Sequence, residues 1–205
     1  MKSIGLLGGT FDPVHFGHLR PALEIKESLG LSELRLLPCR VSPHRQQPLA
    51  TPRQRLQMLT LATAEASVLD VDARELNRPP PSYTVDTLGA LKAEHPEAVL
   101  VFVMGDDAFA GFKRWHRWEQ ILELAHLVVT SRPGHRLQSH EFEITRDRDT
   151  LQRSRAGKVL HCEVTALDIS ASAIRALVHS GRDIAYLVPH AVHRYITEQR
   201  LYLPD

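Results

Sequence analysis

The sequence predicts an α/β domain built on a parallel sheet, and three observations carry that prediction. Short apolar runs alternate with helical patterns along most of the chain; the run from Ala98 to Met104 is apolar throughout, as suits a central parallel strand covered on both faces; and the first run ends in two glycines that lead into a helix. With 205 residues and 43% hydrophobic content there is material for one core, so residues 1–205 read as a single domain whose last part, 165–205, is helical.

Ile4, Leu6 and Leu7 beside Gly5 form the first strand, starting near residue 3. Asp12-Pro13 marks a turn, and a helix begins between Val14 and Gly17 and runs to Leu29, with Gly30 as its stop. Glu33 to Pro38 is the second strand, followed by a proline-rich polar loop over 39–51. Thr51-Pro52 is an N-cap with proline at the first helical position, opening a helix to about Ala66. Val68 to Asp72 alternates as a strand, and Ser82 or Thr84 caps a helix through Leu91. After the central strand, Asp106 starts a short helix through Phe109. Trp115 and Trp118 stand at helical spacing with Ile121, Leu122 and Ala125: Trp118 reads as core, Trp115 as an indole at a loop-to-helix junction able to stack on a flat ring. His126 to Ser131 is a further strand, and 135–157, where acids and bases interleave, reads as a partly helical solvated excursion. Lys158 to Val164 is the last strand, Ser170 caps a helix to His179 ended by Gly181, and Pro189 to Gln199 is an amphipathic cover.

A formal charge of +1 gives no reason to expect nucleic-acid or membrane partners, although 12 histidines make the chain more cationic in acid. Cys39 and Cys162 have no C-x-x-C partner and read as buried thiols. Met1-Lys2-Ser3 runs straight into a strand and no stretch reaches 18 consecutive apolar residues, so the expectation is a soluble cytoplasmic protein; a monomer and a homo-oligomer both stay open.

The chemistry concentrates in residues 4–20. Gly8 and Gly9 let main-chain N–H groups approach a charged ligand, and His15 and His18 follow at i and i+3 beside a helix N-terminus, with Gly17 between them removing a side chain that would block close approach. That arrangement favours an anion over a metal. His190 and His193 share the spacing without the preceding strand and glycines. Neither G-x-x-x-x-G-K-[ST] nor G-x-G-x-x-G occurs, which disfavours a P-loop or a dehydrogenase fingerprint. His44 and Arg45 read either as a phosphate grip or as a solvated basic loop, and Asp106 and Asp107, at the end of the central strand, either as ribose or magnesium partners or as a helix start.

The stretch G-G-T-F-D-P-V-H-F-G-H-L resembles the nucleotidyltransferases that share G-x-F-D-x-x-H-x-G-H, with Gly9, Phe11, Asp12, His15, Gly17 and His18 matching position for position. With S-P-H-R, S-Y-T, G-x-D with F-x-x-W, and I-S-A-S-A-I-R, the chain is similar over nearly its whole length to the bacterial nicotinate mononucleotide adenylyltransferases. Ser172 stands where relatives carry threonine and keeps the hydroxyl. The resemblance implies a doubly wound, Rossmann-like parallel sheet, in agreement with the alternation above, and direct transfer of the adenylyl group of ATP to nicotinate mononucleotide. It implies His18, His15 and Arg175 as catalytic. ATP would be held by Gly8, Gly9, Thr10, Phe11, His15, His18, Gly105, Asp107, Arg132, Ser170, Ser172 and Arg175, and nicotinate mononucleotide by His44, Arg45, Ser82, Tyr83, Thr84, Trp115 and His116. Mg2+ would arrive with ATP, no protein cage for it being visible. The same signature serves pantetheine-phosphate, glycerol-phosphate and nicotinamide mononucleotide transferases, and a non-catalytic nucleotide-binding domain is the alternative from another class.

Overall fold

In a computed structural model, which describes residues 2–41, 47–64, 68–134 and 141–204, the strands form one seven-stranded sheet in the order β3-β2-β1-β4-β5-β7-β6, every neighbouring pair parallel. The strands are β1 (Ser3–Gly9), β2 (Glu33–Pro38), β3 (Asp70–Val71), β4 (Val99–Gly105), β5 (His126–Ser131), β6 (Ile144–Thr145) and β7 (Val159–Glu163). The helices are α1 (Phe16–Ser28), α2 (Pro52–Ala64), α3 (Thr84–Glu94), α4 (Asp106–Phe109), α5 (Trp118–Leu124), α6 (Thr150–Arg153), α7 (Ala171–His179) and α8 (His190–Glu198), with a 3-10 turn over Phe112–Arg114. This is the expected doubly wound sheet. β1 and β4 lie side by side at its centre, and the chain builds outward from them in both directions.

The pleat divides the core. Along β4, Val99, Val101 and Val103 join a cluster with Ile25, Met58, Leu59, Ile174 and Ile196, so α1, α2, α7 and α8 cover one face. Leu100, Phe102 and Met104 join Leu88, Leu91 and Ile121, which places α3 and α5 on the other. A fully apolar strand is what a sheet buried on both sides demands.

Local chemistry explains most boundaries. Gly30, at φ +60, ends α1 in the left-handed conformation that glycine adopts without penalty. Thr51 and Gln54 cap α2 reciprocally: Gln54 N–H donates to Thr51 Oγ1 at 3.3 Å, and Thr51 N–H donates to Gln54 Oε1 at 2.8 Å. Three expectations change. β3 shrinks to Asp70–Val71, because only Arg35 and Leu36 of the neighbouring strand pair with it. Neither Ser82 nor Thr84 caps α3: Tyr83 occupies the cap position without a side-chain hydrogen bond, and Ser82 Oγ instead accepts from the Arg40 N–H at 3.0 Å. The charged excursion contains β6, paired parallel to β7, and its Phe142 packs against Phe109, Phe112 and Trp118, so it is anchored to the aromatic cluster and not merely solvated.

Candidate active site

In an open parallel sheet the ligand crevice forms at the carboxyl ends of the strands, where the winding reverses. Here that point lies between β1 and β4. A cleft of about 530 Å³ opens there, lined by Gly8, Gly9 and Thr10 after β1, His18 of α1, and Gly105 and Asp107 after β4. The same cleft is lined by Ser82, Tyr83, Thr84, Trp115 and His116. Most residues singled out from the sequence thus meet in one place.

The β1–α1 loop is shaped differently from the expectation. Gly8 and Gly9 belong to the strand and do not make the turn; Phe11 does, at φ +51. Gly9 is glycine because a Cβ would stand 2.8 Å from the Phe11 ring, which folds back over it and is 1% exposed. That ring meets His18 edge-on at 5.0 Å, and His18 stacks on His15 at 3.7 Å. His18 faces the cleft, while His15, 4% exposed, lies against it and reaches the cleft only through the stack. Burial pulls the His15 pKa from its ordinary value near 6.5 to about 4, so its imidazole is neutral at neutral pH. Among the described residues its Nδ1 has no hydrogen-bond partner. Gly17 serves this packing: a Cβ there would stand 2.9 Å from His15 Nδ1 and 3.1 Å from the Ile169 carbonyl oxygen. The space read as room for a ligand is filled by protein.

Asp12 ties the loop to the rest of the molecule. Its carboxylate accepts from the N–H groups of Leu49 (2.8 Å) and Ala50 (3.1 Å) and from the Tyr202 hydroxyl (2.7 Å), and its carbonyl accepts from Arg175 Nη1 (2.7 Å). Arg175 also donates to Ser172 Oγ at 3.3 Å, and Ser170 Oγ caps α7 by accepting from the Ala173 N–H. Ser170, Ser172 and Arg175 do not line the cleft; they border it through Asp12 and through Ile169, whose carbonyl abuts Gly17. Arg132 stands apart, exposed and paired with Asp168 at 3.2 Å. Asp107 lines the cleft and Asp106 does not; the Asp106 carboxylate accepts from the Asp107 N–H at 2.9 Å. His44 and Arg45 lie outside the described residues.

Four contributors escaped the sequence reading. Arg55, fully buried, sends Nη1 to the carbonyls of Thr10 (2.7 Å) and Cys39 (2.8 Å) and Nη2 to that of Arg40 (3.2 Å), pinning the ends of β1 and β2 beneath the cleft. Burial lowers its pKa, with Cys39 and Asp12 opposing. The available signal was its place on the apolar stripe of α2 with Met58 and Leu59. Cys39, expected to be buried, is half-buried and lines the cleft, as do Arg114 and the buried Glu75. Among the described residues no group of three or more His, Cys, Asp or Glu side chains is placed to hold a metal ion. No described helix is long and apolar enough to cross a membrane.

A doubly wound sheet whose first strand ends in two glycines, with a helix-borne histidine at its switch point, defines a nucleotide-binding α/β protein of the nucleotidyl-transfer kind. The chain belongs to the cytidylyltransferase-like family, which residues 6–177 match. It is 45% identical over 211 residues to a probable nicotinate-nucleotide adenylyltransferase of Aeromonas hydrophila, covering 98% of this chain and 97% of that protein. A protein of the same description from Halorhodospira halophila is also 45% identical, over 98% of this chain and 96% of its own length. Among solved structures, Plasmodium falciparum nicotinic acid mononucleotide adenylyltransferase complexed with NaAD superposes with a TM-score of 0.76 over 98% of both chains, at 20% identity, a likeness of fold.

Proposed function

We propose that this chain transfers the adenylyl group of ATP to nicotinate mononucleotide, yielding deamido-NAD and pyrophosphate. The observation that carries the reading is that one cleft is lined both by the glycine end of β1 with Thr10 and His18 and by the rings of Tyr83, Trp115 and His116. Tyr83 and His116 pack at 4.3 Å with their rings tilted by 31°, and Trp115, which lines the cleft, meets Phe102 edge-to-face. A phosphate-binding end and a flat-ring end within one crevice suit two nucleotides joined through their phosphates.

In this reading an oxygen of the acceptor's phosphate attacks the α-phosphorus of ATP in line. A new P–O bond forms as the bond to the β-phosphate's bridging oxygen breaks, and pyrophosphate leaves with its electron pair. No covalent enzyme intermediate is needed, so the protein supplies position and charge stabilisation. His18 donates to the α-phosphoryl oxygens as charge builds, with neutral His15 fixing its ring from behind. The N–H groups of Thr10 and Phe11 face the triphosphate. Ser172 and Arg175 take the departing β,γ-phosphates when the guanidinium turns from the Asp12 carbonyl. Magnesium enters as part of the Mg–ATP substrate. The nicotinate carboxylate meets main-chain N–H donors at the start of α3, beside Tyr83 and Thr84, where first-turn amides lack intrahelical partners.

Pyrophosphate release on mixing with Mg–ATP and each of nicotinate mononucleotide, nicotinamide mononucleotide and phosphopantetheine tests the reading. Release with the first in clear preference to the others is expected, and release with phosphopantetheine alone overturns it. His18→Ala should lower kcat by roughly 10²–10³, by analogy with removing one preorganised donor, while the ATP Kd changes less.

A further inference from the structure

Resting on that reading of the acceptor, we propose that Glu75 is a positioning residue that sets the acid-over-amide choice by clamping the start of α3. Glu75 is 7% exposed, lines the ring end of the cleft, and comes from the turn over 73–77, outside every regular element. A carboxylate on the wall that must receive another carboxylate is a liability unless its lone pairs and charge are taken up. The structure takes them up from behind. Thr87 Oγ1, on α3, donates to Glu75 Oε1 at 2.7 Å. Arg78 donates to Thr87 Oγ1 and lies 3.9 Å from Glu75 Oε1.

Ser82 and Thr87 bracket Tyr83 and Thr84, the segment whose N–H groups face the ring in this reading: the Glu75 carboxylate holds it at Thr87, and the Arg40 N–H holds it at Ser82. The clamp is in turn fastened to the sheet. Arg40, just past β2, donates its N–H to Ser82 Oγ and its Nη1 to the carbonyls of Leu76 (3.4 Å) and Arg78 (3.2 Å), and Ser82 N–H donates to the Val41 carbonyl at 3.1 Å. Burial raises the Glu75 pKa, only partly offset by Thr87 and Arg78, so the charge of this group depends on those partners. Thr87 is 1% exposed and does not line the cleft, so it acts on a bound ligand only through Glu75 and the helix it belongs to.

The test is steady-state kinetics on wild type, Glu75→Gln, Thr87→Val and the double variant, with nicotinate and nicotinamide mononucleotides as acceptors and thermal midpoints measured alongside. Glu75→Gln is expected to lower kcat/KM for the acid roughly 10- to 100-fold, the scale of a small misplacement, to shrink the acid-to-amide ratio, and to leave the KM for ATP within about twofold. Thr87→Val should reproduce both changes, and the double variant should add little to either single one. A general loss of folded protein lowers both acceptors and ATP together and leaves the ratio intact, which overturns the proposal. So does an effect of Glu75→Gln that Thr87→Val does not share, since Glu75 would then touch the acceptor itself. If wild type uses neither mononucleotide, it is the functional reading that fails; if wild type prefers the acid and the variants keep that preference, only the clamp fails.

Discussion

Replacing Gly17 by alanine sets two opposed effects against each other at the second residue of α1. Alanine in place of a helical glycine stabilises by up to about 1 kcal/mol. Against this, the new Cβ would stand 2.9 Å from His15 Nδ1, 3.0 Å from His15 Cε1 and 3.1 Å from the Ile169 carbonyl oxygen. The carbonyl is backbone and does not yield, and the imidazole is already buried and stacked on His18. The ring must retreat by about half an ångström to restore ordinary contact, and overpacking of this kind costs about 1–3 kcal/mol. Packing wins: the net loss is up to ~2 kcal/mol, a fall in Tm of roughly 8 °C or less for a domain of this size. Activity should suffer more, because His18 is displaced with its stacking partner; kcat/KM falls roughly 10- to 100-fold. Thermal denaturation and pyrophosphate release on one preparation measure both. Gly89→Ala is the control, since nothing lies within 4 Å of its added Cβ within α3, and it should gain up to about 1 kcal/mol with unchanged turnover. Wild-type kcat/KM in Gly17→Ala would refute the claim that His15 fills that space.

Tyr202→Phe removes one hydrogen bond to the buried Asp12 carboxylate and should cost about 1.5–3 kcal/mol, read as a lower urea midpoint at constant m-value; no change would mean that the contact is incidental. Acid should destabilise the protein through His15: its folded pKa lies below its unfolded value, so the unfolded chain binds more protons and stability is lost as pH falls from about 6.5 to about 4, by roughly 3 kcal/mol in all. Buried His126, its pKa likewise lowered by burial, adds loss of the same sign, and urea midpoints from pH 7.5 to 4.5 should therefore drop less steeply in His15→Gln; parallel profiles would remove His15 from the account. Trp115→Ala should weaken both mononucleotides by removing a stacking face while keeping most of the acid-over-amide ratio; an unchanged KM would return Trp115 to the core it already touches at Phe102 and Phe112.

What could be read from the chain was what is local in it. β2 and β5 fall where their apolar runs begin and end, and α1 and α7 stop where Gly30 and Gly181 allow a left-handed exit. β6 left no mark, because two residues in a charged stretch become a strand only by pairing with β7. In the site, His18 and the glycines announce themselves within a dozen residues, yet the reason for Gly17 was misread, since its crowding comes from the His15 ring, turned onto it by the fold, and from the Ile169 carbonyl on a distant part of the chain. Arg55 passed unremarked: its place on the apolar stripe of α2 hints at burial, but nothing near it in sequence shows that three carbonyls await it. Glu75 and Tyr202 were invisible for the same cause: a turn carboxylate and a late tyrosine gain their meaning only from partners 12 and 190 positions away.

The Asp12–Tyr202 contact also orders events on the ribosome. β1 finds its sheet neighbours once β2 and β4 have emerged, but the loop behind it holds an acidic side chain whose phenolic partner is made 190 residues later. Domains fold as units, N-terminal parts first as the chain lengthens. A nascent chain can therefore lay down most of its sheet, and seat Asp12 on the Leu49 and Ala50 N–H groups, before the Tyr202 hydroxyl arrives as the last donor to that carboxylate. Chains clipped before Tyr202 would keep every strand of the sheet and lack one of the three donors that fix the Asp12 carboxylate, so the β1–α1 loop receives its final tie only after the sheet is complete.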